Sequence, residues 1–163
     1  IDRIEGVHIR SMALQLGGAL PLHLGAGPRV LLAFEPREYW DDYFAEAKLE
    51  PRTPRTPTTR GGIVALLEEA RHLGYSISDE DVTVGITSVG APIFDHTGRV
   101  HAAISVGGMR SAILGYGGGE RAVELVTNGA AEISRRMGYQ APTAAAATIR
   151  GGHQSDIGDR QVS

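Results

Sequence analysis

The sequence predicts an α+β domain in which an antiparallel sheet is flanked by helices. Three observations carry that expectation. The stretch Gly85 to Gly108, GITSVGAPIFDHTGRVHAAISVGG, reads as a β-hairpin, with arms Ile86 to Phe94 and Val100 to Val106 and a turn at Asp95-His96-Thr97-Gly98. Its second arm alternates, with Val100, Ala102, Ile104 and Val106 on one face and His101, Ala103, Ser105 and Gly107 on the other. Segments of helical periodicity lie on both sides of it, and the order of strands, helices, hairpin and helix argues against a βαβ repeat.

The hairpin turn suggests a register. Asp caps its own backbone and Gly tolerates positive φ, so the two bracket a turn well. A two-residue loop at His96-Thr97 places Asp95 opposite Gly98. Gly90 then faces Ala103, Ser88 faces Ser105 and Ile86 faces Gly107, and a bulge at Gly98 would move each pair by one residue. Two hydroxyls meeting on a face of otherwise small residues suit either a cross-strand hydrogen bond or the floor of a small-ligand pocket.

Before the hairpin, Ile1 to Ile4 and His8 to Leu16 read as extended runs. A helix is expected to begin near Gly25 to Pro28, since Pro fits a first turn, with Val30, Leu31 and Phe34 on one face. Its start offers free backbone N–H groups and a positive dipole end to an anion, and Gly25, Ala26 and Gly27 permit close approach. Neither dinucleotide-binding spacing nor a phosphate-loop Lys accompanies it, and spacing alone favours a plain Gly-rich loop entering a helix. Arg37 to Lys48 is an aromatic-rich helix whose rings exceed what one small core readily buries, which favours self-association. The segment Glu50 to Arg60, EPRTPRTPTTR, reads as a connector. Thr58 or Thr59 caps the next helix, which buries Ile63, Leu66, Leu67, Ala70 and Leu73 and ends at Gly74. A short strand at Tyr75 to Ile77 leads into a solvated acidic turn, Ser78-Asp79-Glu80-Asp81. After the hairpin, Gly115 to Gly119 is a bend, Glu120 to Met137 a helix burying Ala122, Val126, Ala130, Ile133 and Met137, and Gln140 onward a disordered tail.

Composition narrows the chemistry. The 163 residues suit one domain with a real core, and the absence of cysteine excludes disulfides, thiolate metal sites and thiol nucleophiles. The net charge of −3, with basic residues scattered, argues against a phosphate-gripping surface. No apolar run is long enough for a membrane helix and no signal peptide is visible, so a cytoplasmic location is expected. The start at Ile1, without Met, suggests a fragment of a longer polypeptide.

Four stretches in order resemble the effector-binding domain of IclR-type bacterial transcription regulators: LPLHLGAGPRVLLAF at 20–34, HLGY at 72–75, DEDVTVGITSVGAPIFDHTGRVHAAISVGG at 79–108 and AAEISRRMG at 130–138. The resemblance implies a GAF-like fold over residues 1–139, a six-stranded sheet with helices on its faces, and a tail over 140–163. It implies a homodimer or homotetramer, and DNA binding only through a winged helix-turn-helix upstream of Ile1, where a first strand and helix of the domain would also lie. It implies a small-molecule effector, an organic acid or aromatic metabolite, in a cup lined by Ile9, Met12, Ala26, Gly27, Ile86, Ser88, Ser105 and Gly107. Two places depart from the family's pattern. Ser78, with Asp79 adjacent, stands where the acidic turn can carry an aspartate that contacts ligand, and Gly27-Pro28-Arg29 stands where Gly-Lys-Ala is commoner.

The competing readings are an enzyme on the same fold and a metal sensor. Thiol chemistry has no nucleophile here, and Ser105 has no histidine directly across the hairpin. His8, His23, His72, His96 and His101 match no standard ligand spacing. No catalytic residue, metal ligand or cofactor is therefore expected.

Overall fold

The structure, a computed structural model, describes residues 18–141. The expected extended runs at 1–4 and 8–16, with Ile9 and Met12, lie outside the described residues, as does all but the first of the tail beyond Gln140. The elements are α1 (Ala26–Phe34), α2 (Arg37–Glu46), α3 (Arg60–Leu73), β1 (Ser76–Asp79), β2 (Ile86–Phe94), β3 (Val100–Met109), α4 (Arg110–Leu114) and α5 (Gly118–Arg136). The strands form an antiparallel sheet in the order β1-β2-β3. The architecture is α+β, as the periodicities predict.

The sheet sorts its side chains by parity. Val89, Ala91 and Ile93 point to one face and pack on Ala122, Val126 and Ala130 of α5. The other face carries α1, and α1 in turn lies beneath α2 and α3. Leu32 and Ala33 of α1 join Trp40, Ile63, Leu67 and Ala70 in a second cluster. Because α1 is covered on both sides, its buried residues are Ala26, Arg29, Val30, Leu32 and Ala33; of the expected face Val30, Leu31 and Phe34 only Val30 is fully buried, Leu31 and Phe34 being half-buried. Trp40 is fully packed, its indole N–H donates to the Leu32 carbonyl at 2.6 Å, and Tyr43 and Phe44 pack against the same cluster. Of the four rings on α2, only Tyr39 is exposed, so the expected surplus of ring surface is absent.

α3 follows its sequence signals closely. Thr59 accepts from the Gly62 N–H at 3.2 Å, and Gly74 closes the helix in the left-handed region. Leu66 and Leu73 are the exceptions to the expected buried stripe, Leu66 being half-buried and Leu73 exposed. The strand expected at Tyr75 to Ile77 is Ser76–Asp79. A short helix, α4, directly precedes the predicted glycine-rich bend, and α5 begins two residues earlier than Glu120, taking Gly118 and Gly119 from that bend.

The hairpin register differs from the predicted one by two residues. Ser88 pairs with Gly107, Gly90 with Ser105 and Ile86 with Met109. One residue of the shift comes from the turn. Asp95 donates to the Arg99 carbonyl at 3.0 Å around a three-residue loop in which Gly98 has φ +79°. The second comes from a bulge, since Ile93 pairs with Ala102 while Phe94 pairs with Val100, leaving His101 unpaired. The bulge frees the Phe94 N–H, which donates to Ser134 Oγ on α5 at 2.9 Å, and that hydroxyl donates to the Ala130 carbonyl at 2.7 Å. Ser134 is buried, so Ser134→Ala should leave the Phe94 N–H unsatisfied and cost about 1–3 kcal/mol, read as a lower urea midpoint with an unchanged slope.

Candidate ligand-binding site

On the α1 side of the sheet the small residues fall into two rows. Ser76, Gly90 and Ser105 form one, and Ser78, Ser88 and Gly107 form the next. The first row lies under the helix. A Cβ on Gly90 would come within 2.8 Å of the Ala26 carbonyl carbon and 2.9 Å of the Gly27 nitrogen, closer than real Cβ contacts allow. Glycine at 90 thus lets the first turn of α1 rest on the strand backbone. A Cβ on Gly27 would lie 3.6 Å from Ser105 Oγ, so Ser105 stands directly beneath the same turn.

The helix runs from Gly90 toward the hairpin turn, where Phe34 packs edge-on against Phe94 with centroids 5.3 Å apart. Its N-terminus therefore faces the second row, Ser88 and Gly107. No side chain caps this end, and Gly25 sits at φ +78° as its N-cap. The first-turn N–H groups and the positive dipole end point along the helix axis toward Ser88. Among the described residues, neither Ser88 Oγ nor Ser105 Oγ has a hydrogen-bond partner. Together these groups form a small donor-rich cup suited to a carboxylate or carbonyl.

The segment Glu80 to Gly85 walls the cup on the β1 side. A Cβ on Gly25 would meet Val82 Cγ2 at 3.6 Å and Leu20 Cδ1 at 3.9 Å, so these two side chains border the roof. Asp81 anchors the wall. It pairs with Arg29 of α1, with side-chain exposures of 4% and 2%, and it accepts from the Ser78 hydroxyl. Arg29 also donates to the Ile77 carbonyl at 2.9 Å and the His23 carbonyl at 3.4 Å. The acidic turn is therefore not a solvated one, because the counter-charge that buries Asp81 comes from α1.

The Pro-rich segment is more than a connector. Thr53 Oγ1 donates to the Glu80 carbonyl and Thr56 Oγ1 to the Asp81 carbonyl, each at 2.7 Å. Arg55 reaches Asp79 at 2.7 Å and Glu80 at 3.1 Å, while Arg110 reaches Asp79 at 2.8 Å. These bonds strap the wall from outside. A separate groove between α2 and α3, lined by Arg37, Trp40, Asp41 and Arg60, lies away from the cup. Its two arginines are committed to Glu68 and Asp41.

Of the eight residues expected to line the cup, Ala26, Gly27, Ser88, Ser105 and Gly107 are brought together. The expected facing of Ser88 and Ser105 is replaced by a diagonal relation on one face. Ile86 lies one row further out, half-buried and paired with Met109. Ile9 and Met12 lie outside the described residues. Sequence reasoning missed Gly90, Val82, Leu20 and the Arg29–Asp81 pair. The readable signal for the pair was a charge at position 29, one helical turn from Ala26 and from Ala33, inside an apolar stripe that leaves it no access to water.

An α+β domain with a glycine- and serine-floored cup under a helix start is the class that this geometry defines. The family model for the C-terminal domain of the bacterial transcriptional regulator IclR matches residues 1–135, and the chain belongs to that family. It is similar to the transcriptional repressor AllR of Escherichia coli K12, with 32% identity over 86% of the chain and 52% of AllR. It is 29% identical to the regulator KipR of Bacillus subtilis over 85% of the chain and 55% of KipR. The crystal structure of the Thermotoga maritima IclR superposes with a TM-score of 0.78 at 33% identity, covering 85% of this chain and 56% of that one. The chain thus spans about half the length of the curated relatives it matches. They are named as transcriptional regulators and repressors.

Removing one partner of the wall's anchor strands the other in a dry site. Asp81→Ala should cost about 3–5 kcal/mol in chemical denaturation. The double variant Arg29→Met, Asp81→Leu should recover most of that loss, and a double variant no more stable than Asp81→Ala would contradict the buried pairing.

Proposed function

We propose that this chain is the effector-sensing domain of a longer IclR-type transcription regulator, and that the effector is a small organic acid or aromatic acid held in the cup between α1 and the sheet. The carrying observation is the uncapped start of α1 seated on Gly90, facing a row of small residues with Ser88 at its centre. The helix start supplies donors and a positive dipole end, and Ser88 and Ser105 supply hydroxyls. Ala26, Gly27 and Gly107 keep the space free of bulk, while Ile86, Val82 and, in this reading, Ile9 and Met12 form its apolar wall. DNA binding belongs to a winged helix-turn-helix on another part of the polypeptide. The regulator acts as a homodimer or homotetramer in the cytoplasm, and no helix among the described residues is long and apolar enough to cross a membrane.

A thermal-shift screen with small carboxylates and aromatic acids tests the reading. An acid present at one hundred times its dissociation constant should add about 2.7 kcal/mol of stability. Ser88→Ala and Ser105→Ala should each weaken its binding roughly ten- to a hundredfold, as expected for loss of a hydrogen bond to a charged group worth about 1.5–3 kcal/mol. Failure of every acid to stabilise the protein would sink the proposal, and so would unchanged affinity in both serine variants.

A further inference from the structure

His23 sits in the turn that leads into the roof helix, where the Leu24 N–H donates to the Pro21 carbonyl at 3.0 Å. It is wholly buried. Its Nδ1 lies 2.6 Å from the Tyr43 hydroxyl of α2, which also accepts the His23 backbone N–H at 3.3 Å. Its carbonyl accepts from Arg29. Its Nε2 has no hydrogen-bond partner among the described residues. The charged and titratable groups that face it are Arg29 from α1, Asp81 from the wall, Arg52 from the segment after α2, and Tyr43.

We infer that His23 makes the seating of the roof helix proton-linked, with the neutral imidazole required by the seated helix and the imidazolium favouring its release. A proton from solvent would give the ring N–H groups at both nitrogens. Protonated Nδ1 can no longer accept from the Tyr43 hydroxyl, Nε2 meets no acceptor among the described residues, and the added charge sits buried beside the Arg29 guanidinium. The unsatisfied cation is relieved when the Pro21 to Leu24 turn opens, and Gly25 with the first turn of α1 opens with it. Burial, and after it the Arg29 charge, hold the seated imidazole below its ordinary 6.5. The sign follows by linkage. Above about pH 6.5 both forms are neutral and seating is fully favoured. As pH falls below that value the open form takes the proton first, and seating weakens until the buried ring titrates too. From about pH 7.5 to about pH 5.5 the opening equilibrium should rise, by at most roughly tenfold, the limit set by the ordinary 6.5 of the open form. This proton linkage does not rest on the identity or existence of a ligand.

Hydrogen exchange by mass spectrometry on the 163-residue chain reads it directly. After correction for intrinsic exchange, protection of residues 20–34 should fall over that range, by up to roughly tenfold, relative to the α5 segment 118–136. His23→Asn retains an acceptor near the Tyr43 hydroxyl but cannot be protonated, and its 20–34 segment should show no such fall. An equal response of both segments in the wild type, or an undiminished fall in His23→Asn, overturns the inference. Should His23→Asn not fold, proton NMR of the wild-type ring decides. A ring whose midpoint lies clearly below the ordinary 6.5 supports the linkage, and a midpoint at or above 6.5 overturns it.

Discussion

Between α1 and the loop after β1, a guanidinium and a carboxylate face one another with almost no access to water. Two such charges are costly to desolvate, and an apolar pair of similar volume would often serve stability as well. What the ionic pair adds is direction. Arg29 has donors for Asp81, the Ile77 carbonyl and the His23 carbonyl, so it fixes the helix, the wall and the leader turn to one another by angle as well as by contact. Dispersion contacts alone would hold α1 on the sheet but would let it slide along the smooth floor of glycines and serines. A ligand site of the kind proposed needs its donors placed to within fractions of an ångström, and this pair together with the Gly90 seat fixes the start of α1 on the sheet.

The rest of the architecture follows from where α1 must lie. A nine-residue helix pressed against strand backbone buries both its sheet face and its outer face, so α2 and α3 are required to cover it. That accounts for Trp40, whose indole N–H reaches back to the Leu32 carbonyl, and for Arg71, which donates to the Ala33 and Glu35 carbonyls at the far end of the same helix. The C-terminal carbonyls of α1 are thus satisfied by its covering layer, while its N-terminal amides receive no side-chain cap. The asymmetry leaves the electropositive end as the one available to a ligand.

How much of this was legible in the sequence depends on which physical rule governed each part. The faces of the hairpin were readable because strand parity survives a shift of two residues. The partner of Ser88 was not readable, because a three-residue turn and a bulge at His101 each moved the register by one. Helix limits set by local chemistry, Thr59 and Gly74 for α3, were readable for the same reason that caps work in isolated peptides. The burial of Asp81 was hidden, since Ser-Asp-Glu-Asp resembles any solvated turn until a cation from 52 residues away is placed against it. The Pro-rich segment resembled a spacer for a similar reason. Its threonines act through carbonyls of Glu80 and Asp81, and backbone carbonyls leave no trace in sequence.

The floor itself illustrates a compromise between folding and binding. Glycine in a strand interior weakens the strand, because its backbone loses more freedom on folding and it offers no side chain to pack. The sheet carries Gly90 and Gly107 in adjacent strands on its α1 face, and Gly90 has a steric reason, the close approach of Ala26 and Gly27. At Gly107 an added Cβ would meet Ser88 Cβ at 3.4 Å, a tight but tolerable contact. Folding among the described residues therefore does not demand glycine at 107, whereas the proposed binding of a ligand over Ser88 would. The two glycines stand in neighbouring rows of one surface and separate two constraints, Gly90 seating the first turn of α1 and Gly107, in the proposed reading, leaving room for a ligand beside Ser88.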